Sequence, residues 1–109
     1  MFITMNRIPV NPEFSDAFEE RFASRAGLVD HAPGFVRNLV LRPLKGSSDR
    51  YIVMTLWESE ADFHAWTKTD DFKKAHAGVR QAPEGMYLGP GKIEVFDTVL
   101  DSLMEKTEK

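Results

Sequence analysis

The stretch FHAWTKTDDFKKAH, residues 63–76, sets Trp66 and His76 ten positions apart in a chain that has only two Trp and three His. A neutral imidazole can ligate a metal or carry a proton, and an indole supplies a broad apolar face with one donor. Each also has a plain structural reading, His76 as a helix-surface residue and Trp66 as core. At about 100° per residue, positions ten apart differ by roughly 80° around a helix, so a bend between them decides whether they face one pocket. Asn6 is the third unusual choice. It sits mid-strand among apolar neighbours, where an unpaired buried amide costs about 1 to 3 kcal/mol. It is either a bulge or strand-end residue satisfied by backbone, or a donor held over a ligand. Arg21 and Arg25, one turn apart, suit a solvated helix face or an anionic ligand. His31 in a turn and His64 beside Phe63 are weaker candidates, and Lys73-Lys74 reads as a solvated face.

Much chemistry is excluded. The chain of 109 residues has no cysteine, which removes disulfides, zinc-thiolate sites, iron–sulfur clusters and thiol nucleophiles. It has no Gly-x-Ser-x-Gly elbow and no His-Glu-x-x-His. The Gly-Pro-Gly at 89–91 is too short for a phosphate loop and precedes a strand rather than a helix. A net charge of −3 speaks against nucleic acid as a partner, and no stretch approaches the roughly 18 apolar residues of a membrane span. The start, MFITMNRIPV, lacks a signal-peptide pattern, so the cytoplasm is the expected location.

The elements that must position these residues follow from periodicity. Residues 2–10 read as a strand with Phe2, Thr4, Asn6 and Ile8 on one face. Phe14, Ala17, Phe18 and Phe22 recur at helical spacing over about 12–29. A Pro-Gly breaker leads into a second strand over 35–44, and KGSSD turns it into a third, RYIVMTLWE. Ser59, with Asp62 three residues on, opens a helical region running to about Val79, interrupted at Thr69-Asp70-Asp71, where either Thr69 or Asp70 caps a new turn. A Gly- and Pro-rich loop over 82–91 precedes the last strand, KIEVFDTVL.

The order β-α-β-β-α-β is the ferredoxin-like split βαβ arrangement, an α+β fold with an antiparallel sheet. We expect one domain over 1–100 and a charged tail over 101–109. The third strand is apolar on both faces, with Tyr51, Val53 and Trp57 on one and Ile52, Met54 and Leu56 on the other. A sheet with one wet face alternates more cleanly, so the helix-free face is expected to meet a second copy in a homodimer.

Strand-one Asn6, ERFASRAG at 20–27, PGF at 33–35, VMTLWES at 53–59 and FHAWTKTDDFKKAH together resemble the IsdG-type haem-degrading monooxygenases. These belong to the dimeric α+β barrels that include the antibiotic-biosynthesis monooxygenases. The specific part is the Trp–His pair with the strand-one Asn. The resemblance implies His76 as axial ligand of haem iron, Asn6 as a distal hydrogen-bond donor toward bound dioxygen, and Trp66 as the residue that presses the porphyrin out of plane. Haem would be cofactor and substrate at once, with dioxygen and an external electron donor, hence an unidentified reductase, completing the reaction. Phe22, Val53 and Val79 are expected along the porphyrin face, and Arg21, Arg25 or Arg80 near its propionates. The match ends after the second helical region, and residues 81–91 depart from the family pattern. The competing readings are a cofactor-free monooxygenase of a polycyclic phenol, with His76 as base or bystander, and a non-catalytic haem carrier or sensor.

Overall fold

Pro9 sets the limit of the first strand, because it has no N–H to give to a ladder. The computed structural model describes residues 1–25, 28–77 and 82–103, with the backbone alone at Arg25 and Ala77. Strand β1 (Phe2–Ile8) stops just before Pro9. Beyond it the chain keeps single links, a bridge from Val10 to Tyr87 and a Leu88 N–H donated to the Pro9 carbonyl at 2.8 Å.

Asn11 then turns the chain. Its side-chain oxygen accepts the Glu13 N–H at 3.1 Å, capping a short 3-10 turn (Pro12–Phe14) that runs into helix α1 (Ser15–Arg25). The expected helix over 12–29 is therefore shorter. Val29–His31 is a separate 3-10 turn, and Ala32 after it is extended (φ −72°, ψ 137°), as a residue before proline is biased to be. Gly34, at φ +80°, lets the chain enter strand β2 (Phe35–Leu41). A Cβ there would lie 2.2 Å from the Asp62 carboxylate, so this glycine is required by both backbone and space.

Strand β2 ends at Leu41, short of the expected 44, where Pro43 removes a donor, and pairs antiparallel with strand β3 (Tyr51–Trp57) as the hairpin pattern implied. Ser59 caps helix α2 (Glu60–Thr67) by accepting the Asp62 N–H at 3.2 Å. Helix α3 (Asp70–Ala77) follows after a break, and strand β4 (Lys92–Asp97) closes the sheet. Val79 and Arg80 lie outside the described residues, as does the tail beyond Leu103.

The sheet order is β2-β3-β1-β4 with every pairing antiparallel, the ferredoxin-like arrangement expected. Two clusters form the core, both on one sheet face. Ile8, Val10, Phe18, Tyr51 and Met86 gather under α1 and the 82–91 loop, with Phe18 and Met86 fully buried. Phe2, Trp57 and Trp66 gather under α2 and α3, flanked by Phe35, Phe63 and Phe72. The opposite face carries Ile3, Met5, Ile52, Met54 and Leu56, all half-buried, and Phe96, which is exposed. No described helix is long and apolar enough to cross a membrane.

Candidate functional site

The two clusters do not meet. The helix-facing residues of β1 run Phe2, Thr4, Asn6, Ile8, and in register opposite them β3 places Trp57, Thr55, Val53 and Tyr51. Each end of this double row is sealed into a cluster, while the middle positions floor a cavity of about 550 Å³. That volume falls within the ~300–1,000 Å³ usual for small-molecule sites. Phe22, Trp66, Phe72 and His76 wall it, and Tyr87 with the Gly89–Gly91 segment closes a further side.

Of the residues singled out from sequence, Asn6, Phe22, Val53, Trp66 and His76 line this one cavity, and Arg21 does not. Val79, Arg80 and the Arg25 side chain lie outside the described residues. His31 and His64 are exposed, the latter 3.1 Å from Glu60.

The bend that Trp66 and His76 need is made by Thr69. Its hydroxyl donates to the Trp66 carbonyl at 2.7 Å and accepts the Phe72 N–H at 3.1 Å, so one side chain ends α2 and caps α3. Trp66 is thereby fixed in the core, 7% exposed, with its ring 5.9 Å from that of Phe72 in a T-shaped contact. His76 stacks on the other side of this junction, its ring 4.1 Å from Phe72. The His76 Nδ1 lies 2.8 Å from the Phe72 carbonyl, an acceptor only, so Nδ1 carries the proton. The Nε2 lone pair is then left for a ligand, which is how metal-binding imidazoles are oriented by their second nitrogen.

Asn6 occupies a regular position, opposite Val53 on one side and Ile93 on the other, with no bulge. Among the described residues its side-chain amide forms no hydrogen bond to protein. The backbone-satisfied alternative therefore does not hold. Thr4, Thr55 and Asn38 extend a polar row across the floor, with the Asn38 amide donating to Thr55 Oγ1 at 2.8 Å. These three and Tyr87 had not been singled out. The signal available was a hydroxyl at the middle inward position of both central strands.

Among the described residues no three His, Asp or Glu side chains are grouped to hold a bare metal ion. A metal at His76 would have to arrive with ligands of its own. The aromatic walls, the single free imidazole nitrogen and the unpaired amide across the floor suit a flat, largely apolar metallocycle.

This fold and cavity define the class, a ferredoxin-like α+β domain of the dimeric-barrel type. Residues 1–78 match the family model described as antibiotic biosynthesis monooxygenase. The chain is 40% identical over 99 residues to a heme oxygenase (mycobilin-producing) of Mycobacterium tuberculosis, covering 91% of this chain and 90% of that one. It is also 40% identical over 78 residues to a heme oxygenase (staphylobilin-producing) of Staphylococcus haemolyticus, covering 70% and 73%. The chain thus belongs to the antibiotic biosynthesis monooxygenase family and, within it, to the IsdG-type haem-degrading monooxygenases. A solved structure of the Mycobacterium tuberculosis heme-degrader MhuD with two hemes in its active site superimposes with a TM-score of 0.76 at 37% identity, covering 93% of this chain and 98% of that one. The cofactor-independent oxygenase SnoaB of Streptomyces nogalater superimposes at 0.71 with 21% identity, which is likeness of fold alone.

Proposed function

We propose that this chain is a haem-degrading monooxygenase that binds haem through His76 and opens its porphyrin ring. The observation that carries the reading is one cavity that joins a buried indole on α2 with an imidazole nitrogen on α3 and an amide on β1, neither of them bonded among the described residues. Relatives of the chain with named haem oxygenase activity support it.

Haem, when bound, supplies both the iron that activates dioxygen and the ring that is oxidised, with electrons from an external donor. The protein's part is orientation. His76 would hold the haem iron through Nε2, with its ring oriented by the Nδ1–H bond to the Phe72 carbonyl. Trp66 would lie against the bound ring, and the Thr69 bond to its carbonyl and its ring contact with Trp57 hold it in place. Asn6 would offer its amide as a donor from the floor of the cavity. Phe22 and Val53 give the apolar surface that excludes water.

We further propose a homodimer through the helix-free sheet face, a reductase as electron donor and a cytoplasmic location. Ile3, Met5, Ile52, Met54, Leu56 and Phe96 lie on that face beside the Arg7–Glu94 ion pair, an apolar group that supports sheet-on-sheet pairing. Binding is tested by titrating haemin into purified protein. The wild type is expected to give a shifted Soret band at one equivalent or more. His76→Ala is expected to weaken binding at least tenfold, about 1.4 kcal/mol. An unchanged titration in that variant removes His76 as ligand.

A further inference from the structure

Gly-Pro-Gly at 89–91 belongs to no phosphate loop, yet two of its residues carry no side chain at the wall of the cavity. Gly91 does not need to be glycine for its backbone, since the positive-φ glycines among the described residues are Gly34, Gly46 and Gly85. It needs to be glycine for space. A Cβ built there would stand 2.8 Å from Asn6 Oδ1 and 3.5 Å from Asn6 Cγ. The nearest backbone atom, the Arg7 carbonyl oxygen, is also 3.5 Å away, which is ordinary contact. At Gly89 a Cβ would meet only Pro9 Cγ, at 3.8 Å.

We infer that Gly91 is a positioning residue for Asn6. The gap left by its missing Cβ, just before β4, receives the end of the Asn6 side chain and so sets how the amide stands at the cavity floor. The Asn6 side chain has no hydrogen-bonding partner to set this orientation among the described residues, and the terminal torsion of Asn is soft, so the neighbouring surface decides it. A methyl at 91 would displace the end of a side chain rather than backbone. The expected result is a redirected donor in a folded protein. This inference rests on the role proposed above for Asn6, but the geometry it describes exists without haem.

The test has a ligand-free arm and a turnover arm. The Asn6 side-chain amide resonances, assigned by their loss in Asn6→Ala, are compared in haem-free wild type, Gly91→Ala and Gly89→Ala. They are expected to move in Gly91→Ala and to stay in Gly89→Ala. Haem ring opening in Gly91→Ala is expected to slow about five- to tenfold, the loss of roughly one hydrogen bond. Added to Asn6→Ala, the same substitution should change the rate less than about twofold, because its effect passes through Asn6. Unmoved resonances overturn the inference, as do moved resonances with an unchanged rate or an equal slowing in the Asn6→Ala background. If the wild type opens no haem, the functional reading fails and the resonances alone decide. If Gly91→Ala fails to fold, the Asn6→Ala/Gly91→Ala double variant is made: its folding upholds the contact, and its failure to fold overturns it.

Discussion

His76 and Asn6 face one cavity from opposite elements, and each was ambiguous in the sequence for a different reason. A helical His has no signature that separates a ligand from a surface residue. His76 is exposed and lines the cavity, and its Nδ1–H bond to the Phe72 carbonyl, a contact within one helical turn that sequence permits but does not dictate, fits the ligand role proposed for it. Asn6 stood between bulge and donor, and the regular register through Phe2–Ile8 decides against the bulge. Gly91 carried no signal at all, because its need for empty space arises only when β4 is laid beside β1. At this scale one charge also has a measurable consequence. Glu19 accepts hydrogen bonds from the Arg42 guanidinium and the Tyr51 hydroxyl, and these hold its carboxyl at about 2, below its ordinary 4.5. The folded chain therefore binds fewer protons at Glu19 than the unfolded one between those values. Its contribution is full above about pH 4.5 and is lost as pH falls through about 2. Urea unfolding of Glu19→Gln against wild type should show the variant less stable at pH 7, with the gap narrowing from about pH 5 toward pH 2. A gap independent of pH would mean that the lost packing, and not the charge, is what Glu19 supplies.

The elements were more legible than the site they build. Hydrophobic spacing gave all four strands, and the interruption at Thr69-Asp70-Asp71 gave two helices in place of one, with Thr69 taking the cap that sequence had left between it and Asp70. Two strand boundaries moved where proline intervened, at Pro9 and Pro43, since each removes a donor. The polar floor was written in β1 and β3 as Thr4, Asn6 and Thr55 at inward positions. It becomes readable only once Thr4 is known to lie opposite Thr55 and Asn6 opposite Val53. That register is a long-range property, and the hydrophobic pattern of either strand alone does not contain it.

For the whole molecule, the same sheet has two uses. One face carries the helices and the cavity, and the other presents an apolar surface that a chain of this size gains by burying. Light scattering is expected to give a mass of twice 12.4 kDa. A monomer at all concentrations would contradict sheet-on-sheet pairing while leaving the cavity within each chain intact. The fold by itself is shared with a cofactor-independent oxygenase, so the residues of the cavity, and not the sheet order, carry the assignment to haem chemistry. The most direct test is turnover of the haem complex. With ascorbate as reductant and catalase present to remove free peroxide, the Soret band should decay while a chelator captures the released iron. A Soret band that persists under those conditions, with no iron released, would contradict ring opening and leave a protein that only carries haem.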